Sequence, residues 1–200
     1  MKRLYTTLTM LMLVLVTAFA QKDAKSILNR TAEAYKKTGG VCITFTGSQD
    51  GTLWLRNNCF YLKCIGVKSW FDGKTQWSYV EENDEVTISN PTDEELQSIN
   101  PYAWISSYKQ NFNCKLMGTK TVNGKKGYEI KLTPRKKGEV ASIILMVSEQ
   151  YEPMQITIVL SNGEKQFFDV TEYKVFKNVS FESFRFNPKK YPTAEIIDMR

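Results

Sequence analysis

Between Val41 and Ser89, apolar and polar residues alternate in short runs: VCITFTG, GTLWLR, CFYLKC, KSWF, TQWSYV and EVTIS. Alternation of period two puts one set of side chains on each face of a pleated strand, and the aromatic and β-branched content suits a strand. After an interruption the pattern resumes in NCKLMGTK, KGYEIKLTP, ASIILMVS, MQITIVL, KQFFDVTEYKVF and FESFRFN. Asp72-Gly73, Asn123-Gly124 and Asn162-Gly163 are tight-hairpin signals, because both residues of each pair tolerate positive φ. No βαβ rhythm, repeat or linker is present. The pattern predicts a mainly β domain, one large curved antiparallel sheet of roughly eleven strands in hairpin order.

Such a sheet has two faces and little helix to cover them. Ala24 to Lys37 carries Ile27, Leu28, Ala32, Ala34 and Tyr35 at helical spacing, and Gly39-Gly40 ends it. With that single long helix, the sheet must close, pair with a second sheet, or curl around a cavity that small helices plug. Trp54 with Arg56, Phe60 with Leu62 and Trp77 with Tyr79 recur at alternate positions. Bulky apolar residues so spaced fit a packed core or the lining of a lipid-sized cavity.

The interruption, NPTDEELQSINPYAWISSYKQ over residues 90–110, predicts two short helices. Thr92-x-x-Glu95 is a capping box, and Asp93 and Glu94 favour the positive end of the helix dipole. Leu96 and Ile99 then point one way. Pro101 opens the second piece, where Trp104, Ile105 and Tyr108 form an apolar stripe. The insert either covers one end of the sheet or serves as a movable lid over a hydrophobic cavity. An apolar cavity near a thousand cubic ångströms under the insert, about the upper end for ligand pockets, would decide for a carrier over a packed core.

Lys2 and Arg3, the apolar run Leu8–Val16 and the Ala18-Phe19-Ala20 site predict a secretory signal peptide over residues 1–20, followed by one domain over 21–200. The formal charge of +6 includes the two leader cations, so residues 21–200 carry +4. Apart from Arg135-Lys136-Lys137, read as a solvated hairpin tip, the cations are scattered, and no nucleic-acid partner is expected. In an exported chain Cys42, Cys59, Cys64 and Cys114 are candidates for disulfides. Cys59 and Cys64 share one strand at about 16 Å, beyond mutual reach, so each would need Cys42 or Cys114.

Catalytic constellations are missing from the sequence. Histidine is absent, which removes Ser-His and Cys-His pairs and the imidazole base. The acidic residues are accounted for by capping and by a hairpin tip, and no glycine-rich loop precedes a helix. No enzyme activity, catalytic residue, cofactor or metal is therefore expected.

GTLWLR, then FDGKTQWSY, then KLTPR and finally FESFRFNPKKYP, taken in that order, resemble the outer-membrane lipoprotein carrier (LolA) family from about Ala24 to Pro192. The resemblance implies an unclosed half-barrel with an α-helical lid. It also implies a monomeric periplasmic carrier that accepts lipid-modified proteins from an inner-membrane ABC exporter. Their acyl chains are then carried to the outer membrane and an acceptor there. The acyl-chain site is then expected among Trp54, Phe60, Leu62, Trp77, Tyr79, Leu96, Ile99, Trp104, Ile105 and Tyr108. A family arginine latches the lid through its backbone, and Arg56 is the candidate here. Where the family has K-R-P, however, this chain has Leu55-Arg56-Asn57-Asn58. A different class of function, an envelope lipid-sensing or stress-regulatory interaction module on the same fold, would need a stable protein partner.

Overall fold

Residues 23–92, 95–96 and 101–200 are described by the computed structural model. The signal-peptide segment and Ile99 lie outside the described residues.

Six strands follow the first helix, α1 (Ala24–Lys36): β1 (Val41–Gly47), β2 (Gly51–Arg56), β3 (Cys59–Cys64), β4 (Val67–Phe71), β5 (Gln76–Val80) and β6 (Glu85–Ser89). Helix α2 (Pro101–Asn111) precedes β7 (Phe112–Val122), β8 (Lys125–Pro134), β9 (Val140–Ser148), β10 (Pro153–Leu160) and β11 (Lys165–Val175). A short strand β12 (Glu195–Asp198) ends the chain. All twelve belong to one sheet in the order β12-β6-β5-β4-β3-β2-β1-β11-β10-β9-β8-β7. Two meanders, β1–β6 and β7–β11, are thus joined where β1 pairs with β11. β7 and β12 are free edges, so the curved sheet stays an unclosed half-barrel, as expected.

Two differences from the sequence pattern lie at the C-terminus. FESFRFN does not form a strand: Phe181–Phe184 is a 3-10 turn, opened when the Ser180 side chain accepts the Glu182 amide at 3.3 Å. β12, whose EIID carries no alternation, pairs parallel to β6 and makes the sheet mixed.

The hairpins form where the turn dipeptides placed them. Asn123 and Gly124 have φ of 50° and 75°, and Val122 pairs with Lys125, the two-residue turn whose twist matches the sheet. Asp72 and Asn162 head longer loops: the Asp72 carboxylate accepts from the Lys74 and Thr75 amides, and the Asn162 side chain accepts from Glu164. The Arg135-Lys136-Lys137 tip is exposed.

Strand register decides which residues share a face. Val41 lies opposite Leu55, Leu55 opposite Phe60, and Phe60 opposite Phe71. This row faces the helices. It meets Ile27 and Leu28 of α1 and Ile105 of α2 in the main core, where Phe60, Leu55, Ile27 and Leu28 are completely buried. Asp23 caps α1 by accepting from the Ser26 amide at 2.6 Å. Tyr35 ties the other end of the helix down by donating to the Asn57 carbonyl at 2.8 Å. The adjacent row, Cys42–Trp54–Tyr61–Trp70–Trp77, is on the opposite, convex face.

The convex face is covered by the chain's own C-terminal segment. Phe184 is fully buried there with Val179 and Cys59, against Trp54, Tyr61 and Phe176. Trp54 contacts Phe176 with ring centroids 5.0 Å apart, Trp70 meets Phe186 at 5.5 Å, and Tyr79 meets Tyr191 at 4.6 Å. Arg185 forms an ion pair with Asp72 at 3.2 Å.

Candidate functional site

The concave face does not pack solidly throughout. Between the sheet and α2 lies a cavity of about 270 Å³. Its walls are Ile43 and Phe45 of β1, Leu53 of β2, Leu62 and Cys64 of β3, Ile156 and Ile158 of β10, and Phe168 and Val170 of β11, with Trp104 contributed by α2. Pro153, Gln49 and Gln166 complete the lining. No charged side chain is among these residues. The volume falls below the range of about 300–1,000 Å³ usual for ligand clefts, and well below the thousand that would have decided for a carrier over a packed core.

The helices are held over this face by specific contacts. In the capping box, the Glu95 carboxylate accepts from the Thr92 amide at 2.7 Å and from the Thr92 hydroxyl at 2.9 Å, while the Glu95 amide donates to that hydroxyl at 3.3 Å. The backbone bond from Thr92 holds the Glu95 carboxyl below its usual pKa. In α2, the Tyr108 hydroxyl donates to the Asn29 side chain at 2.9 Å, tying the two helices together, and its burial pushes its pKa up. Trp104, Ile105 and Tyr108 are 6%, 1% and 2% exposed.

The residues expected around an acyl chain therefore divide. Leu62 and Trp104 line the cavity. Phe60, Ile105 and Tyr108 belong to the buried core beside it, and Leu96 packs against that core. Trp54, Trp77 and Tyr79 are on the convex face and away from the cavity, because they occupy the strand positions of opposite parity to Leu53, Leu55 and Leu62. Trp54 and Tyr79 are taken up by the C-terminal segment. Conversely, Ile43, Phe45, Leu53, Ile156, Ile158, Phe168 and Val170 line the cavity and were not singled out. Their alternation with Thr44, Thr157 and Asp169 in VCITFTG, MQITIVL and KQFFDV already sets them on one face; strand pairing is what brings β1, β10 and β11 together around one cavity.

Arg56 is a latch of another kind. It is on the convex face, where its guanidinium donates to the Val179 carbonyl and lies 3.9 Å from the centre of the Phe181 ring. Through these contacts it fastens the C-terminal segment.

The expected disulfides are not formed. Cys42, Cys59, Cys64 and Cys114 are all free thiols. β2 separates Cys42 from β3, and two strand spacings of about 4.8 Å already exceed disulfide reach. Cys114 is on β7, at the far edge of the sheet. Burial raises the pKa of all four thiols and so lowers the fraction present as thiolate. Among the described residues, no group of three Cys, Asp or Glu side chains is placed to hold a metal ion.

Comparison with known proteins bears on this geometry. A family model described as "Outer membrane lipoprotein carrier protein LolA" matches residues 16–164. No curated protein matches the chain. Among solved structures, an uncharacterized conserved protein from Thermus thermophilus superposes with a TM-score of 0.64 and 14% identity, over 88% of this chain and 98% of that one. A LolA superfamily protein from Nitrosomonas europaea gives a TM-score of 0.41 at 11% identity, covering 82% and 98% of the two chains. The lipoprotein LppX of Mycobacterium tuberculosis gives 0.47 at 14% identity, covering 78% and 97%.

Proposed function

We propose a function from the premise that this chain belongs to the LolA family of outer membrane lipoprotein carrier proteins: it binds the acyl chains of lipid-modified proteins in the concave cavity and carries them across an aqueous space. The observation that supports this most directly is the uncharged, apolar cavity roofed by Trp104 of α2. Each methylene moved from water into such a site is worth about 0.8 kcal/mol, so an exposed acyl chain needs a shelter of this chemistry. Release needs no covalent step, only a destination that hides the chain better. Because the cavity is small, a long chain must displace α2 as it enters, which gives the helix the role of a lid.

On this reading the protein works as a monomer in the periplasm, reached through the signal peptide of residues 1–20. It receives cargo from an inner-membrane ABC lipoprotein exporter and passes it to an outer-membrane acceptor. It acts as a chaperone of lipoprotein transport and not as an enzyme.

The test is uptake of a synthetic triacylated lipopeptide by protein stripped of lipid. A one-to-one soluble complex, with lipopeptide aggregation suppressed, is the expected outcome. Failure to bind or solubilise the lipopeptide would overturn the carrier reading. Recovery of a regulatory protein and no exporter in periplasmic pull-downs would favour an interaction module instead.

A further inference from the structure

We propose that the mouth of the cavity selects acyl chains joined to neutral ester or amide groups over chains ending in an ionised carboxylate or phosphate; this rests on the carrier reading and specifies its ligand. The walls are hydrocarbon, aromatic rings and the Cys64 thiol, and the strongly polar side chains in the lining are those of Gln49 and Gln166. Both glutamines are exposed, Gln49 just beyond the end of β1 and Gln166 at the start of β11. β1 and β11 are adjacent in the sheet, so the two amides belong to one rim. Neither side chain has a hydrogen-bond partner among the described residues. By contrast, the sheet glutamines Gln76 and Gln155 are engaged, with Ser69 and with Asp169.

A primary amide both donates and accepts, so it can meet an ester carbonyl with its NH₂ and an acyl-amide N–H with its oxygen. It cannot neutralise an anion. The cations adjoining the lining in sequence are turned away: Lys63 and Lys165 alternate with the inward-facing Cys64 and Gln166, and therefore project from the convex side, while Arg30 of α1 is engaged with Tyr151 at 2.7 Å. The charge next to Gln49 is negative, since the Asp50 carboxylate caps the turn by accepting from the Gly47 amide at 3.2 Å. An ionised head group would thus meet an apolar wall, two neutral amides and a carboxylate. Bringing an unpaired charge to such a site is unfavourable.

The experiment displaces N-phenyl-1-naphthylamine from lipid-stripped protein with two probes of equal chain length, 1-monolauroylglycerol and laurate. Both are used at pH 8 and below their micelle concentrations. The ester is expected to compete at about tenfold lower concentration than laurate, equivalent to about 1.4 kcal/mol. Gln166→Lys, a change at an exposed position, should narrow or reverse that ratio by giving laurate a cation. Laurate competing as well as the ester in the unaltered protein would overturn the selectivity while leaving the carrier reading intact. An unchanged ratio in Q166K would remove the rim from the explanation. If neither probe competes, the carrier reading falls as well.

Discussion

Replacing Phe184 by alanine separates the two apolar faces of the sheet. Phe184 is fully buried on the convex side with Val179 and Cys59, and contributes nothing to the cavity. Truncating a buried phenylalanine removes its transfer free energy and leaves a void, at a combined cost of about 3–5 kcal/mol. For a domain of this size each kcal/mol lowers Tm by about 2–4 °C, so a cost borne by the whole fold lowers Tm by about 6–20 °C. The segment can also yield locally. It is held by the Arg56–Val179 hydrogen bond, the Arg185–Asp72 ion pair and the aromatic contacts of Trp54, Trp70 and Tyr79. If their sum is smaller than the cavity cost, residues 176–200 detach and Tm moves less. Calorimetry with hydrogen exchange over 176–200 distinguishes these responses, and displacement of a naphthylamine probe reports on the cavity. Stability or local protection is expected to fall while probe affinity stays within about twofold. A folded F184A protein that loses probe binding more than tenfold would refute the division, and return Trp54 and its neighbours to the ligand site.

The same division gives three further expectations. Trp104→Ser should weaken acyl binding with the sheet intact, whereas Ile105→Asn should cost about 2–5 kcal/mol of stability in urea unfolding and leave binding by the folded protein little changed, because both are buried but only Trp104 also borders the cavity. Indistinguishable behaviour of the two variants would contradict that assignment. Cys64 lines the cavity, so maleimide labelling of it should slow when an acylglycerol is bound while labelling of Cys114 stays unchanged; equal rates with and without ligand would place the ligand elsewhere. Lys68 lies 2.7 Å from Glu81 and through that hydrogen bond holds the Glu81 carboxyl below its ordinary 4.5. A depressed carboxylate pKa contributes stability above the ordinary value and loses it as pH falls through the lower native value. NMR titration should therefore find Glu81 below 4.5, and Lys68→Gln should restore it; a native Glu81 titrating at 4.5 would show the pair is not formed.

The helix–sheet division and the hairpin order were legible because each rests on local chemistry: period-two alternation, an Asn-Gly turn with both φ positive, a capping box closed within four residues. What escaped was whatever long-range pairing decides. GTLWLR presents Leu53 and Leu55 on one face and Trp54 with Thr52 and Arg56 on the other, so the more apolar parity is the concave one, and the size of Trp54 pointed the wrong way. The tryptophans drew attention by size, yet they were on the face that the C-terminal segment covers. That segment's aromatics, FESFRFN, read as a strand by alternation. Ser180 instead opens a 3-10 turn that buries Phe184, and β12 lacks any alternation to announce it. Arg56, the candidate that the family resemblance offered for a lid latch, donates to the carbonyl of Val179 in the C-terminal segment.

The size of the cavity carries a consequence for how cargo is held. At about 270 Å³ it has room for part of a long acyl chain, and more room comes from moving α2. Withdrawing Trp104, Ile105 and Tyr108 from the core exposes three large side chains at about 1.5–3 kcal/mol each, or about 5–9 kcal/mol together. At about 0.8 kcal/mol per methylene, that cost is offset only after about 6–11 methylenes have been buried. Short chains should therefore fill the existing space and leave the helix in place, and long chains should open it and bind with an affinity reduced by the opening cost. That reduction is what permits release to a membrane or an acceptor. Monoacylglycerols from six to sixteen carbons should show a break in binding free energy against chain length, with a change in tryptophan fluorescence at the break. A straight line of about 0.8 kcal/mol per methylene over the whole series, without a fluorescence change, would mean that the chain is sheltered without α2 moving.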